Sequence, residues 1–358
     1  MDAHPIGFAL ALATSAILTP LWAKYLLRRN IAVIKPRPRD VHTEPIPRLG
    51  GVVVTGIFML VILGFAIFAP DVVSLTHEKF LGIDRNLFGL LMGTLILMVV
   101  GILDDLYDLR PLPRLAAQIL AALQLPLYGV KVQWLANPFG GETITLTPFL
   151  DALLAVTWIV LIINVINFLD GLDGLATSIS SIALAILYLL ALAPFVGQPA
   201  LAFIVLILLG SALGFLPFNW HKARIFLGDS GSQTFGYLLA AAAIISGGKL
   251  ATAALVLAIP ILDALWAVIR RILAGRSPFS PDREHLHHRL FDLGLRQPVV
   301  VSILMTVSVV FGMIALSSRT TGKVHALVAS VVLMVGMLFA LAIAERFIGN
   351  KYRSENKE

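Results

Sequence analysis

The sequence predicts an all-α, polytopic integral membrane protein. Of its 358 residues, 58% are hydrophobic and only 13% are charged, and the mean hydropathy is +0.90. A soluble domain carries about 25% charged residues, so this chain has more apolar surface than one water-soluble core could bury. The composition excludes soluble, disordered and disulfide-rich secreted proteins. The absence of cysteine also excludes thiolate metal sites and a cysteine nucleophile.

A transmembrane helix needs about 20 predominantly apolar residues, and eleven stretches of the sequence approach this length. They lie near residues 5–27, 50–70, 86–103, 112–130, 149–167, 174–194, 199–217, 232–247, 250–270, 298–316 and 324–347. We therefore predict about 11 transmembrane helices that form a single integral membrane domain over residues 1–358. The segment 131–148, where threonines alternate with Ile144 and Leu146, predicts a short extended hairpin between two of these helices.

The positions of lysine and arginine predict the orientation. Counting eleven spans from an outside N-terminus puts 21 of the 27 basic residues inside and 6 outside. Because cytoplasmic loops of membrane proteins are enriched in Lys and Arg, we predict an N-out, C-in topology with the 131–148 hairpin in the periplasm. The net charge of +6 is then a topology signal, and we expect no nucleic-acid partner.

The same count places the unusual polar residues in cytoplasmic loops near 37–51, 104–114, 164–174, 219–232 and 276–296, which form the predicted active site. The first acidic motif, Asp104-Asp105, ends an apolar run. Adjacent carboxylates at the membrane interface are costly unless a cation or donor neutralises them. They indicate metal coordination or general-base chemistry, and a solvated helix end is the alternative.

A second motif spaces Asn164, Asn167, Asp170 and Asp173 three residues apart. Residues at this spacing share a helix face, so we expect one polar stripe at the cytoplasmic end of an apolar helix. Amide and carboxylate oxygens suit Mg²⁺ or Mn²⁺ better than zinc. The alternative is that the asparagines join helices by hydrogen bonds.

A third motif, Gly228-Asp229-Ser230-Gly231-Ser232, follows Lys222 and Arg224. Its small residues allow close approach to a phosphate, with serine hydroxyls and backbone N–H groups as donors. Asp229 is then placed to hold a metal that bridges the phosphate. A tight turn between helices is the structural alternative.

The longest inside loop contains Arg283-Glu284-His285-Leu286-His287-His288-Arg289. Its histidines and arginines indicate an anion site for a pyrophosphate or a sugar. Two alternatives stay open. One is a zinc site, although adjacent His287 and His288 converge poorly on one metal. The other is a basic interfacial helix with its leucines on one face.

Two further features carry charge at the membrane. The loop 37–51 is rich in proline and cations that can meet a lipid phosphate, and Arg48 is the predicted lipid-phosphate ligand. Asp263 lies inside the ninth predicted span. An intramembrane carboxylate indicates a functional site, and pairing with the nearby Arg270 or Arg271 is the alternative.

The order of DDLYDLRPLPR, NVINFLDGLDGLA, FNWHKARIFLGDSGS and REHLHHRL resembles the polyprenyl-phosphate N-acetylhexosamine-1-phosphate transferases. The resemblance extends over residues 37–293. The HLHH form is similar to the branch that uses UDP-N-acetylglucosamine (UDP-GlcNAc) and undecaprenyl phosphate. The phospho-MurNAc-pentapeptide translocases share the acidic motifs but typically differ in the histidine loop, and they are the alternative within the same chemistry.

The resemblance implies a role for each matching residue. Asp104 would be the base or orienting group for the lipid phosphate, with Asp105 beside it. Asn167 and Asp229 would hold Mg²⁺, for which Mn²⁺ is a substitute. Asp170 and Asp173 would position the nucleotide or metal, and the three histidines of the HLHH loop, His285, His287 and His288, would bind the pyrophosphate or sugar.

Transfer of a phosphoryl group between two anions needs charge neutralisation and in-line positioning. Lys222, Arg224 and Arg289 are the cations that we expect to meet the diphosphate. The predicted enzyme transfers GlcNAc 1-phosphate to a polyprenyl phosphate and releases UMP, at the cytoplasmic face of a bacterial inner membrane. A homodimer formed through a lipid-facing helix surface is a further hypothesis. A secondary transporter is the alternative from another class, but transporters place their polar residues near the midplane.

Overall fold

The computed structural model describes residues 3–34, 44–132, 134–135, 137, 142–247, 249–275, 285–318 and 320–355. Most of these residues are helical. In chain order the helices are α1 (Ala3–Arg29), α2 (Gly50–Phe68), α3 (Arg85–Tyr107), α4 (Pro111–Leu127), α5 (Pro148–Leu169), α6 (Leu175–Leu192), α7 (Pro199–Asn219), α8 (Asp229–Ile245), α9 (Leu250–Val256), α10 (Ala258–Leu273), α11 (Leu286–Asp292), α12 (Gln297–Ser317) and α13 (Thr320–Glu355). The helical fold class is thereby confirmed, and the long apolar helices support a multi-pass membrane protein.

Three short antiparallel strand pairs join the helices. Strands β1 (Val33–Ile34) and β2 (Ile46–Pro47) pair before α2, and β3 (Lys79–Phe80) and β4 (Ile83–Asp84) pair before α3. Strands β5 (Trp134–Leu135) and β6 (Ile144–Thr145) pair inside the predicted 131–148 hairpin. The residues 138–141, at the expected tip of that hairpin, lie outside the described part of the chain.

Each of the eleven predicted spans coincides with a helix or a helix pair, but the count of eleven is not confirmed. Within the described residues, eight helices are long and apolar enough to cross a membrane. A ninth candidate is the pair α9 and α10, which bends by 82°. Helices α4 and α8 have 17 residues each, short of the about 20 that a bilayer core requires. The N-out, C-in orientation stays a prediction.

The short helix α8 lies at the centre of the bundle, where it packs against α2, α3, α5 and α6. Nearly all of its residues are buried, although its first turn is polar. Small residues make this possible because they let helix backbones approach closely in a membrane. Gly236 faces the backbone of Ile162 and Ile163 in α5, and Gly101 of α3 faces the backbone of Ser230.

Helices α1 and α7 pack along a second seam of small residues. Gly7, Ala11, Ser15 and Thr19 form one buried face of α1 at a spacing of four residues. Ser15 Oγ donates a hydrogen bond to the carbonyl of Ser211 in α7 at 2.7 Å. This seam lies away from the polar ends of α3 and α5, so it supports the bundle without contributing to the site described next.

Candidate active site

The polar residues that the sequence places in separate loops meet at one end of the bundle. The C-terminal ends of α3 and α5 and the N-terminal end of α8 come together there. The N-terminal end of α2 joins them, because the backbone N–H groups of Gly50 and Gly51 donate to the carbonyls of Phe226 and Leu227 at 2.9 and 2.7 Å. These bonds hold the segment that carries Arg48 beside the segment that leads to Asp229.

Asp105 binds the start of α8. Its Oδ1 accepts a hydrogen bond from the backbone N–H of Asp229 at 2.9 Å, and its Oδ2 accepts from the N–H and hydroxyl of Ser230 at 3.1 and 2.9 Å. A carboxylate at a helix N-terminus satisfies free N–H groups and meets the positive end of the helix dipole. The N–H and serine donors that we expected to face a phosphate therefore bind Asp105.

Gly228 permits this contact between α3 and α8. Its backbone has φ +74°, a conformation that side chains other than glycine rarely adopt. A Cβ at this position would also meet the backbone carbonyl of Arg48 and both carboxylate oxygens of Asp105. The glycine before Asp229 is thus required by its conformation and by the space around it.

Asp104 faces a different neighbour from Asp105. Its Oδ2 lies 3.0 Å from Nη1 of Arg114 in α4, and its Oδ1 accepts from the N–H of Leu109 at 2.8 Å. The carboxylate is buried, whereas the Arg114 side chain is partly open to solvent. The sequence analysis did not assign Arg114 a role, although it lies in the predicted 104–114 loop.

Arg48, the predicted lipid-phosphate ligand, lies beside three of the acidic residues. Its guanidinium is 4.0 Å from Asp105 Oδ1 and 4.0 Å from Asp229 Oδ2, and 3.5 Å from Asp108 Oδ1. About a third of its side chain is exposed. The rest of the predicted 37–51 loop before residue 44 lies outside the described residues.

Asn167 and Asp170 extend the cluster from the end of α5. Asn167 Nδ2 donates to Asp229 Oδ1 and to Ser232 Oγ, the latter at 3.0 Å. Asp170 Oδ2 accepts from the N–H of Gly228 at 3.1 Å. Burial, and then the charges of Asp229 and Asp105, raise the pKa of Asp170 well above its ordinary range. The protonated form of Asp170 is therefore favoured as long as no cation lies beside it.

Asn164 belongs to the same sequence stripe but does not join the cluster. Its Nδ2 donates to Gln118 Oε1 in α4 at 2.8 Å and to the carbonyl of Val160 at 2.8 Å. Gln118 Nε2 in turn lies 3.4 Å from Gln233 Oε1 in α8. For Asn164 the structural alternative is correct: it joins helices by hydrogen bonds.

Asp173 holds the loop that carries two predicted phosphate-binding cations. Its Oδ2 accepts from the N–H of Ala223 at 3.1 Å and lies 3.4 Å from Nδ1 of His221. Ala223 separates Lys222 from Arg224, and both of these cations are exposed at the surface. The structure thus brings Lys222 and Arg224 next to the turn between α5 and α6.

The histidine loop covers the same turn. A Cβ at Gly171 would lie 2.9 Å from His287 Nε2 and 3.2 Å from His288 Nε2, so both rings rest on this glycine. Burial, with His288 and His285 beside it, lowers the pKa of His287 well below its ordinary value, and the ring is neutral. His287 Nε2 is buried and has no hydrogen-bond partner in the described residues.

Arg289 follows His288 in α11 and is partly buried. The residues Arg283 and Glu284 of the same motif lie outside the described part of the chain. Nδ1 of His285 lies 2.9 Å from Oδ2 of Asp263 in α10. Asp263 is the carboxylate that the sequence analysis noted inside the ninth predicted span.

The donor set around Asp229 fits Mg²⁺ in its chemistry. Asn167, Asp170 and Asp229 offer amide and carboxylate oxygens, which are the ligands of hard divalent cations. Burial and the neighbouring carboxylates disfavour the charged form of Asp170, and a cation bound beside it would favour that form. Binding by both Asn167 and Asp229 requires the Asn167 amide to turn its oxygen toward Asp229. Among the described residues, no three histidine or acidic side chains are already placed as a metal-ligand group.

The chain is similar to known proteins over most of its length. Residues 87–247 match the family model described as glycosyl transferase family 4. The chain is 35% identical to the decaprenyl-phosphate N-acetylglucosaminephosphotransferase of Mycobacterium tuberculosis, over 86% of this chain and 80% of that protein. It is 31% identical to the probable undecaprenyl-phosphate N-acetylglucosaminyl 1-phosphate transferase of Bacillus subtilis, over 87% and 84%. It is 30% identical to the undecaprenyl-phosphate alpha-N-acetylglucosaminyl 1-phosphate transferase of Thermotoga maritima, over 88% and 90%.

Proposed function

The chain belongs to the polyprenyl-phosphate N-acetylhexosamine-1-phosphate transferases of glycosyl transferase family 4, and we propose from this that it transfers GlcNAc 1-phosphate from UDP-GlcNAc to a polyprenyl phosphate. An oxygen of the lipid phosphate attacks the β-phosphorus of the sugar nucleotide. The bond between that phosphorus and the bridging oxygen breaks, and UMP leaves. The products are UMP and polyprenyl-diphospho-GlcNAc, with undecaprenyl phosphate as the proposed acceptor.

One observation carries this proposal: the ends of α3, α5 and α8 bring Asp105, Asn167 and Asp229 together beside Arg48. Asn167 bonds to Asp229, whose backbone N–H bonds to Asp105, and Arg48 lies 4.0 Å from both carboxylates. Phosphoryl transfer depends on positioning and charge compensation more than on covalent chemistry. A buried acidic cluster with a partly exposed arginine at its edge supplies places for a divalent cation and for an anionic group.

Arg48 and Arg114 are the proposed ligands of the lipid phosphate. Both guanidinium groups are partly exposed and each has a carboxylate partner, Arg114 with Asp104 at 3.0 Å. A phosphate monoester has a second pKa of about 6, so the acceptor is largely a dianion at neutral pH and needs little help to lose a proton. We therefore propose that Asp104 orients Arg114 and the acceptor, rather than acting as an obligatory base.

The turn between α5 and α6 is the proposed site of the sugar nucleotide. Asp173 holds the Lys222–Arg224 segment through the N–H of Ala223, and the histidine loop rests on Gly171. These contacts hold two cations and the histidine stack, which is formed by the rings of His285, His287 and His288, around the turn that carries Asp170. Charge-assisted contacts of this kind suit a diphosphate.

We propose that Asn167 and Asp229 hold Mg²⁺, with Asp170 beside them. When bound, the ion neutralises charge on the diphosphate and stabilises the charge that develops during transfer. The chain's own part is to keep these oxygens in place. Asp105 does so by binding both N–H groups at the start of α8, and Gly228 by allowing Asp229 to approach the end of α3.

The hydrogen bonds of the acidic pair favour direct transfer over a phospho-aspartate intermediate. Both oxygens of Asp105 accept bonds from α8, and both oxygens of Asp104 accept bonds from Arg114 and Leu109. A carboxylate with these partners is a poor nucleophile, because attack would require it to break them. A covalent route would release UMP without acceptor lipid, and we expect none in a lipid-free preparation.

The proposed location is a bacterial inner membrane, with the site at its cytoplasmic face. The distribution of basic residues supports this orientation, because the loops that surround the acidic cluster hold most of the lysine and arginine. A sugar nucleotide made in the cytoplasm would reach the site from that side.

The first test measures UMP release by the purified protein in detergent with Mg²⁺, undecaprenyl phosphate and UDP-GlcNAc. UDP-GalNAc and UDP-MurNAc-pentapeptide run in parallel. We expect UMP from UDP-GlcNAc that depends on both the lipid and the metal. Turnover only with the pentapeptide would keep the chemistry and overturn the proposed donor. No UMP from any donor, with folded protein, would refute the transferase proposal.

A paired substitution tests the cluster itself. Asp229→Asn keeps the size of the side chain and removes the charge, so we expect turnover to fall at least 100-fold, because a metal ion contributes several kcal/mol of charge stabilisation. Asp71→Asn is the matched control, since Asp71 is exposed and follows the opposite end of α2. Near-normal turnover of Asp229→Asn would show that the metal assignment is wrong.

A further inference from the structure

Asp263 of α10 makes two contacts with the histidine loop. Its Oδ2 lies 2.9 Å from His285 Nδ1, and its Oδ1 accepts from the backbone N–H of Leu286 at 2.9 Å. The side chains of Asp263 and His285 are only 8% and 7% exposed. A buried carboxylate in a membrane helix is costly unless it is paired, and here both of its oxygens have a partner in the same loop.

The first contact determines which ring nitrogen of His285 carries hydrogen. A carboxylate accepts, so Nδ1 must be the donor, whether the ring is neutral or charged. The choice of tautomer by a partner on one nitrogen determines what the other nitrogen can do. In the neutral ring, Nε2 is then left as an acceptor.

The second contact determines where the loop begins its helix. His285 is the residue before α11, in an extended conformation, and its side chain makes no capping bond to that helix. Asp263 supplies an acceptor for the first N–H of α11 from another helix. One side chain thus orients the His285 ring and anchors the backbone that carries His287 and His288.

The position of His285 also affects the rings that pack beside it. Its ring centroid lies 5.4 Å from that of Phe168 and 5.8 Å from that of His287, with the two imidazoles nearly parallel at 10°. The rings of His287 and His288 are 4.3 Å apart and both rest on Gly171. A shift of His285 would therefore move the two histidines that face the Asp170–Asp173 turn.

We infer that Asp263 is a positioning residue for the transfer reaction: it fixes His285 in the Nδ1–H form and holds the histidine stack over the acidic turn. The inference rests on the proposed function, because it concerns the part of the site that would receive the sugar nucleotide. It assigns Asp263 no contact with the substrate.

Kinetics of four variants test the inference: Asp263→Ala, Asp263→Asn, His285→Ala and the double variant Asp263→Asn/His285→Ala. A misplacement of about 1 Å can cost about 100-fold in rate, so we expect kcat/KM for UDP-GlcNAc to fall about 100-fold in Asp263→Ala. Because Asp263→Asn keeps an acceptor for Leu286 and so acts only through the His285 ring, the double variant should be no slower than His285→Ala. Losses that multiply in the double variant would overturn the inference.

Asp263→Asn separates the two contacts. Asparagine keeps an oxygen for the N–H of Leu286, but its NH₂ group must donate to His285 and so reverses the tautomer. We expect a loss of at least 10-fold in kcat/KM with α11 intact. Wild-type kinetics in Asp263→Asn would refute the tautomer assignment.

Asp151→Asn is the matched control for these variants. Asp151 is also a buried carboxylate in a membrane helix that binds a backbone N–H, that of Val132 at 2.7 Å, but it lies at the start of α5, away from the acidic cluster. We expect its kcat/KM to stay within about 2-fold of the wild type. An equal loss in Asp151→Asn and Asp263→Asn would assign Asp263 a general structural role only.

Hydrogen exchange measured by mass spectrometry over residues 285–293 gives a readout that does not depend on turnover. Asp263→Ala should speed exchange at the start of α11, whereas Asp263→Asn and His285→Ala should leave it protected, because the acceptor for Leu286 remains. Unchanged exchange in Asp263→Ala would refute the anchoring contact. If the wild type released no UMP from UDP-GlcNAc, the proposed function would fail, while this measurement would still test the contact by which Asp263 anchors α11.

Discussion

Substitution of the two asparagines of α5 separates structural from functional hydrogen bonds. Asn164 and Asn167 are one turn apart and have the same chemistry, but Asn164 bonds to Gln118 and Asn167 to Asp229. We predict that Asn164→Ala lowers stability and largely spares turnover. We predict that Asn167→Ala largely spares stability and abolishes turnover.

The magnitudes follow from the partners. Asn164→Ala removes a hydrogen bond between helices, worth about 0.6 and at most about 1.7 kcal/mol in a membrane. It also leaves an oxygen of Gln118, which is 1% exposed, without its donor, at a cost of about 1–3 kcal/mol. The expected loss is therefore about 2–4 kcal/mol of unfolding free energy. Asn167→Ala uncovers Asp229, whose side chain is 14% exposed, so the cost to stability is smaller.

The expected kinetic effect is the reverse. If Asn167 holds Mg²⁺, its removal costs several kcal/mol of charge stabilisation in the transition state, and every 1.36 kcal/mol is a factor of ten in rate. We expect a loss of at least 100-fold in kcat/KM for Asn167→Ala and less than 5-fold for Asn164→Ala. UMP release measures the first quantity, and the temperature at which half of the protein loses its monodisperse size-exclusion peak measures the second.

Two results would refute this reasoning. Equal kinetic losses in the two variants, without loss of stability in Asn164→Ala, would show that both asparagines have a functional role. Retention of more than half of the turnover in Asn167→Ala would remove Asn167 from the proposed metal site, because a ligand of the ion cannot be dispensable.

Two further predictions concern packing and charge at the same end of the bundle. In Gly101→Ala the new methyl group would lie 2.6 Å from the backbone nitrogen of Ser230. We therefore expect the unfolding free energy to fall by about 1–3 kcal/mol, measured by thermal unfolding, and UMP release to slow. Gly56→Ala is the control and should match the wild type, because no atom lies within 4 Å of its added Cβ. The raised pKa of Asp170 means that the folded, metal-free protein binds the proton more tightly than the unfolded chain does. With a chelator present, the unfolding free energy should therefore fall as the pH rises from about 4 through the raised pKa. Asp170→Asn should flatten this profile, and Mg²⁺ should stabilise the wild type more than the variant. A flat wild-type profile would contradict the raised pKa of Asp170.

The helices were predictable from sequence because the length and hydropathy of an apolar run are local properties. All eleven predicted segments are helical, and the charge pattern identified the loops whose described parts meet in one cluster. The 82° bend near Leu257 has a signal in the sequence that the prediction of a single span over 250–270 did not use: Pro260 has no N–H for the carbonyl of Val256 and its ring crowds that carbonyl, so the helix breaks there. The shortness of α8 follows from the sequence, because the apolar run predicted over 232–247 is itself short and α8 ends just before Gly247, whose left-handed backbone at φ +79° is typical of a helix C-terminus.

Partners of individual side chains were less predictable than their location. The spacing of Asn164, Asn167, Asp170 and Asp173 indicates one face of α5, but that face meets α4 at one level and α8 at the next. The sequence cannot tell which asparagine faces which helix. Arg114 and Asp263 present the same problem, since their partners Asp104 and His285 lie 10 and 22 residues away on other elements.

The adjacent aspartates show how far a motif can mislead about geometry. Consecutive side chains on an α-helix point about 100° apart, so Asp104 and Asp105 cannot easily bind one ion together at the end of α3. In the structure, Asp104 attaches α4 through Arg114, and Asp105 attaches α8 through the N–H groups of Asp229 and Ser230. The pair therefore joins α3 to both α4 and α8, and it holds Arg114 and the start of α8 at the end of α3. Loss of activity on changing either aspartate would follow from displacement of its partner, even if neither oxygen ever touched the substrate.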